Sequence, residues 1–203
     1  MVAISSYAEL QDLIADYLAR SDLTTRIPTF IQLAEARMNR VLRDLENETI
    51  VTLTPDADGI AALPTNYRQW RSVNAVDDAT DLEFLSPPEA ERRYGLDSGT
   101  PRAFTVMGQN LIVYPASTTD VVLVYYAMLD PLSATNAANW VLEKHPDAYI
   151  FGALSESAAF IGDDGRVTMW EQKFQGAMDD IRASDQGARW GRSVVQVPWG
   201  APV

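Results

Sequence analysis

Two apolar helical stripes lie near opposite ends of the chain, and each is too large for its own helix pair to bury. This constrains the fold more than any other feature of the sequence. Toward the N-terminus Ile27, Phe30, Ile31, Ala34, Met38, Val41, Leu42 and Leu45 recur in steps of three and four, which predicts a helix over 25–45. Pro28 is tolerated in its first turn, where backbone N–H groups have no helical partner. The opposite face carries Gln32, Glu35, Arg37, Arg40 and Arg43. Toward the C-terminus Val167, Trp170, Phe174, Ala177, Met178 and Ile181 predict a second striped helix, capped by Asp164 and running to 183. Each stripe has a helical neighbour. One spans 6–20, with Ser6 and Glu9 spaced as a capping box. The other spans 146–161, with Pro146 at its start, Asp147 complementing the dipole, and small residues Gly152, Ala153, Ser155, Ser157, Ala158 and Ala159 that permit close approach. The economical solution packs the two pairs together as a four-helix bundle in an α+β chain.

The intervening chain has a different period. Residues 49–54 alternate β-branched and apolar side chains and, across Pro55-Asp56-Ala57-Asp58-Gly59, face 60–63 as a hairpin. Strands are predicted over 69–76 and 81–85, then a short helix from Ser86-Pro87-Pro88 to Tyr94. A second hairpin joins 102–107 to 111–114 through Gly108-Gln109-Asn110. The best strand is 121–128, and 130–139 reads as a connecting loop. The expected organisation is therefore a helical pair over 1–48, an inserted antiparallel β region over 49–140, a helical pair over 141–186 and an extended tail over 187–203.

Composition removes several functions. The 203 residues include no cysteine and one histidine, His145, so there is neither a disulfide framework nor a thiolate or His-cluster metal site. The 28 acidic residues exceed the 16 basic ones, giving a formal net charge of -12, and only Lys144 and Lys173 are lysines. Such a chain is poorly suited to neutralising DNA phosphates. The first ten residues lack a basic segment before an apolar run, and the most apolar stretch, 149–162, is too short to cross a bilayer. A soluble chain that folds in a cytoplasm is expected.

Each candidate reaction centre has a simpler local reading. His145 with Asp147 forms an acid–base spacing, but both lie at a helix start. Asp56, Asp58 and Gly59 open like a calcium loop but lack its third oxygen ligand and closing Glu, so an acidic turn is the better reading. Asp163 and Asp164 are adjacent between two helices, where caps are common. Gly108 belongs to no phosphate-cradling glycine pattern. No catalytic residue, cofactor or metal is expected.

Surface features are more informative. Arg37, Arg40 and Arg43 form one basic helix face, read either as a solvated face or as a subunit interface, since arginine makes oriented bidentate contacts that lysine does not. The tail carries Trp190, Val194, Val195, Val197 and Trp199. Large apolar groups in a segment without periodicity suit a partner surface, and 193–197 suits strand addition to a neighbour. The alternative is that the tail folds back over its own bundle.

In order along the chain, Ile27-Pro28-Thr29-Phe30-Ile31-Gln32-Leu33-Ala34-Glu35-Ala36-Arg37-Met38-Asn39-Arg40, then Leu63-Pro64-Thr65-Asn66-Tyr67, then Val121 to Ala127, then His145-Pro146-Asp147-Ala148-Tyr149 resemble elements of phage head-to-tail adaptor proteins, of the tail tubular protein A type in short-tailed phages. The resemblance implies a non-enzymatic virion protein in the neck, assembled in the host cytoplasm. It implies a ring, usually of twelve subunits, docked under the portal protein. Partners would be the portal, neighbouring adaptor subunits and the downstream tail or nozzle protein, with DNA passing through without sequence-specific binding and no membrane contact. The acidic balance would then repel DNA phosphates from the channel wall. Two other readings remain: an oligomeric scaffold not of phage origin, and a carboxylate-based hydrolase.

Overall fold

The computed structural model describes residues 4–77, 81–95 and 97–189. In chain order these form α1 (Tyr7–Leu18), α2 (Ile27–Val41), β1 (Glu48–Leu53), β2 (Ile60–Ala62), β3 (Tyr67–Ala75), β4 (Glu83–Phe84), α3 (Pro87–Tyr94), β5 (Ala103–Met107), β6 (Asn110–Tyr114), β7 (Val121–Ala127), α4 (Trp140–Lys144), α5 (Pro146–Ile161) and α6 (Asp164–Arg189). The protein is thus α+β. Two compact units divide it: the described residues of Met1–Leu45 with Leu129–Val203, and those of Glu46–Met128.

In the helical unit, α5 packs against α6, α2, α1 and α4. Its core includes Leu10, Ile14, Phe30, Ile31, Met38, Tyr149, Leu154, Phe174, Met178 and Ile181, so both expected stripes face inward for most of their length, but Val41, at the end of α2, is 43% exposed. The small residues of α5 explain its central place. A Cβ at Gly152 would lie 2.9 Å from the Ala34 Cβ and 3.0 Å from the Phe174 ring, so α2 and α6 close in over this position.

Several local details depart from expectation. The unit contains α4, a fifth helix, where the four-helix expectation had none; Asn139 caps it by accepting from the Leu142 N–H at 3.0 Å. A 3₁₀ stretch, Ser21–Arg26, precedes α2, and α2 ends at Val41 because Leu42 is extended, with ψ 127°. α6 begins at Asp164, and Asp163 before it supplies the cap: its Oδ1 accepts from the Arg166 N–H at 3.2 Å. The capping box of α1 is half formed. Ser6 accepts from the Glu9 N–H at 3.3 Å, but the Glu9 carboxylate reaches back to the N–H and hydroxyl of Ser5. Helix α6 continues to Arg189, so the first three residues expected in the tail are helical.

The β unit holds a three-stranded sheet, β1-β7-β3, and a four-stranded sheet, β2-β6-β5-β4. Leu53, Leu63, Val73, Phe104, Leu111, Val113, Val121 and Leu123 from the two sheets share one core. The first expected hairpin does not form. β1 pairs with β7 and β2 with β6, so the Pro55–Gly59 turn passes the chain from one sheet to the other. The second hairpin does form, with Met107 opposite Asn110 and Gly108, at φ 63°, taking the first corner. β4 runs parallel to β5, and α3 packs on β5 through Ala90. Ser86 stands at the N-cap of α3 without a side-chain cap bond.

Candidate functional site

The three arginines do not form one face. Arg37 points from α2 into the helical unit, where only 21% of its side chain is exposed. Its Nη2 donates to both carboxylate oxygens of Glu171, at 2.6 and 2.8 Å, and its Nη1 donates to Glu156 at 3.1 Å. The guanidinium also lies 4.5 Å from the centre of the Phe174 ring. Ser155 and Gln175 donate to the same Glu171 carboxylate, at 3.0 and 2.8 Å. Burial alone would push Glu171 up and Arg37 down. Their mutual hydrogen bonding and charge, with the bonds from Gln175 and Ser155 to Glu171 and from Arg37 to Glu156, outweigh it, so Glu171 titrates below, and Arg37 above, its ordinary value. Arg37 therefore ties α2 to α5 and α6. Arg40 is exposed on the last turn of α2. Arg43 lies beyond the helix end, with its Nη1 donating to the Leu42 carbonyl at 2.6 Å. Trp190, Val194, Val195, Val197 and Trp199 lie outside the described residues.

A buried polar network escaped the sequence reading. Glu35, placed there on the polar face of α2, is 4% exposed. Its Oε1 accepts from the Leu132 N–H at 2.7 Å and from the Tyr149 hydroxyl at 3.0 Å. Asn139 donates to that hydroxyl at 2.7 Å and to the Asp130 carbonyl at 2.8 Å. Asn39, one turn along α2, accepts from the Leu129 N–H at 2.7 Å. Together these hold the segment after β7 against α2 and α5. Burial raises Glu35 above its ordinary value, although the two donors act against it, and burial with the Glu35 charge raises Tyr149. The signal was present: Glu35 follows Ile31 by four residues and precedes Met38 by three, which puts it on the apolar stripe.

The other polar candidates have structural uses. Asp56 Oδ1 accepts from the N–H of Asp58 at 3.0 Å and of Ile60 at 2.9 Å, which makes it the pivot of a turn. Gly59 holds φ 77° there, and a Cβ would meet the Val113 carbonyl at 2.8 Å. His145 occupies the N-cap position of α5 edge-on to Trp140, with Asp147 in the first turn. Asp163 caps α6 and pairs with Arg166 at 3.3 Å. Among the described residues no group of three or more His, Cys, Asp or Glu side chains is placed to hold a metal. No described helix is long and apolar enough to cross a membrane.

These described polar groups serve caps, turns and inter-helix ties in an α+β chain. The chain belongs to the SU10 adaptor protein family, whose model matches residues 5–197. No curated protein matches it.

Proposed function

We propose that this protein is a head-to-tail adaptor of a phage virion. It docks as a ring beneath the portal, extends the DNA channel and supports the next tail component, as tail tubular protein A does in the narrower resemblance. The observation that carries the reading is the family match over residues 5–197, which spans both units and continues into the tail. Trp190, Val194, Val195, Val197 and Trp199 supply the partner contact, because aromatic anchors dominate interface energies. Arg40 is the arginine best placed for a subunit contact, since it is exposed while Arg37 is committed internally. A net charge of -12 per subunit keeps the channel wall from binding DNA.

Co-sedimentation with portal particles tests this reading. The full chain is expected to pellet with portal, and a double variant W190A/W199A to stay in the supernatant with its helical content intact. Portal binding unaffected by the double variant would remove the tail from the proposal. No binding by the full chain would remove the portal.

A further inference from the structure

Among the described residues the two sheets have four edge strands, and three of them are protected. β2 has three residues and β4 two, too short to template another strand. β3 is interrupted by two register shifts and carries Arg68 and Arg71. Its outer edge is also taken near the end, where the Leu82 N–H donates to the Val73 carbonyl at 2.8 Å and Asn74 bridges to Asp81.

β1 is neither short nor broken, and its one charge, Glu48, stands at its first residue, paired with Arg71 of β3. It runs six residues in unbroken register with β7, and among the described residues no strand lies along its other edge. Thr49-Ile50-Val51-Thr52 contains no charge, proline or glycine, and Ile50 is 69% exposed. In an antiparallel pair only alternate residues spend their N–H and C=O on a given partner, so two of these four turn both groups outward. An edge of this length and composition is a template for one more strand.

The sequence supplies one segment of matching character. Ser193-Val194-Val195-Gln196-Val197 is uncharged and β-branched, spans five residues, and is closed off by Pro198. It follows the end of α6 at Arg189, within a stretch of 14 residues. From Gln186 onward the chain has Arg189 and Arg192 and no acid, so all 28 acids lie in the remaining residues and the acidic body does not repel it. We infer that the open edge of β1 is a strand-addition site for Ser193–Val197 of a second copy of this chain. The contact needs only a neighbouring subunit, so it stands or falls separately from portal binding.

Amide hydrogen exchange on the full chain over a range of concentrations tests it. Residues 49–52 are expected to slow by about tenfold or more at the highest concentration the chain tolerates, while the outer edge of β3 stays unchanged. The V195P variant alters only the tail, removing a donor from the added strand, and is expected to abolish the slowing without altering exchange elsewhere. I50K, at an exposed position, is expected to weaken it. Slowing that does not depend on concentration would mean the chain's own tail occupies the edge. Self-association without slowing at 49–52 would place the contact elsewhere. Slowing that survives V195P would give the edge a different occupant. No slowing at any concentration would mean that the edge binds no second copy. Each of these results overturns the inference.

Discussion

Replacing Arg37 by alanine separates an internal tie from a surface contact. The change removes two charge-assisted bonds to Glu171, one to Glu156, and the cation's seat on Phe174. Glu171 would keep only the neutral donors Ser155 and Gln175. Losing charged hydrogen bonds at a half-buried site and leaving a carboxylate behind costs on the order of 1–3 kcal/mol, and the lost cation–π contact adds about 0.5–1. A total of about 3 kcal/mol corresponds to a fall of about 6–12 °C in melting temperature for a chain of this size. The loss should be confined to the helical unit, so thermal unfolding followed by far-UV circular dichroism should show it in the helical signal. Glu171 titrates below its ordinary value, so the pair's stabilisation is complete above that value and is lost as pH falls toward the lowered one. The R37A penalty should therefore shrink on acidification. R40A, at an exposed position, should change stability by less than about 0.5 kcal/mol. Equal, small effects of R37A and R40A would refute the tie and restore Arg37 to a surface role.

Three further changes probe other parts of the account. G152A places a methyl group 2.9 Å from the Ala34 Cβ, and the strain, about 1–3 kcal/mol, should exceed the helix-propensity gain of about 1 kcal/mol; a stabilised variant in urea melts would contradict the close approach. Glu35 titrates above its ordinary 4.5, so its contribution is present below that value and is lost as pH rises through the folded one. E35Q keeps an acceptor and should lose less stability than wild type between pH 4.5 and neutrality; parallel pH profiles would contradict this. Thr105 is fully buried, and its hydroxyl has no hydrogen-bond partner among the described residues, so T105V should stabilise the β unit by about 1 kcal/mol in denaturant titrations. A destabilised variant would mean that the hydroxyl has a use.

What the sequence made legible was periodic or local. The stripes of α2 and α6 follow from side-chain spacing, the start of α5 from Pro146 and Asp147, and the β5–β6 hairpin from a glycine at a corner that needs positive φ. Partner choice between strands was not legible. Pro55–Gly59 carries every local sign of a hairpin turn, yet β1 and β2 are drawn to β7 and β6 by burial that the turn does not encode. Helix α4 has five residues, too few to establish a period. Glu35 and Arg37 read as outward-facing because they are charged, while the donors to Glu35 and the acids that pair with Arg37 lie more than 90 residues away in sequence. Surface use is the least legible, because an exposed arginine and an internally paired one look alike until the fold places them.

Electron microscopy of the full chain mixed with portal particles tests the central proposal most directly. The account predicts a ring of adaptor density coaxial with the portal channel, with the helical unit and the β unit recognisable in each subunit and the tail contacting a neighbour or the portal. Portal particles that remain bare at saturating protein, or that bind isolated copies away from the channel axis, would contradict it.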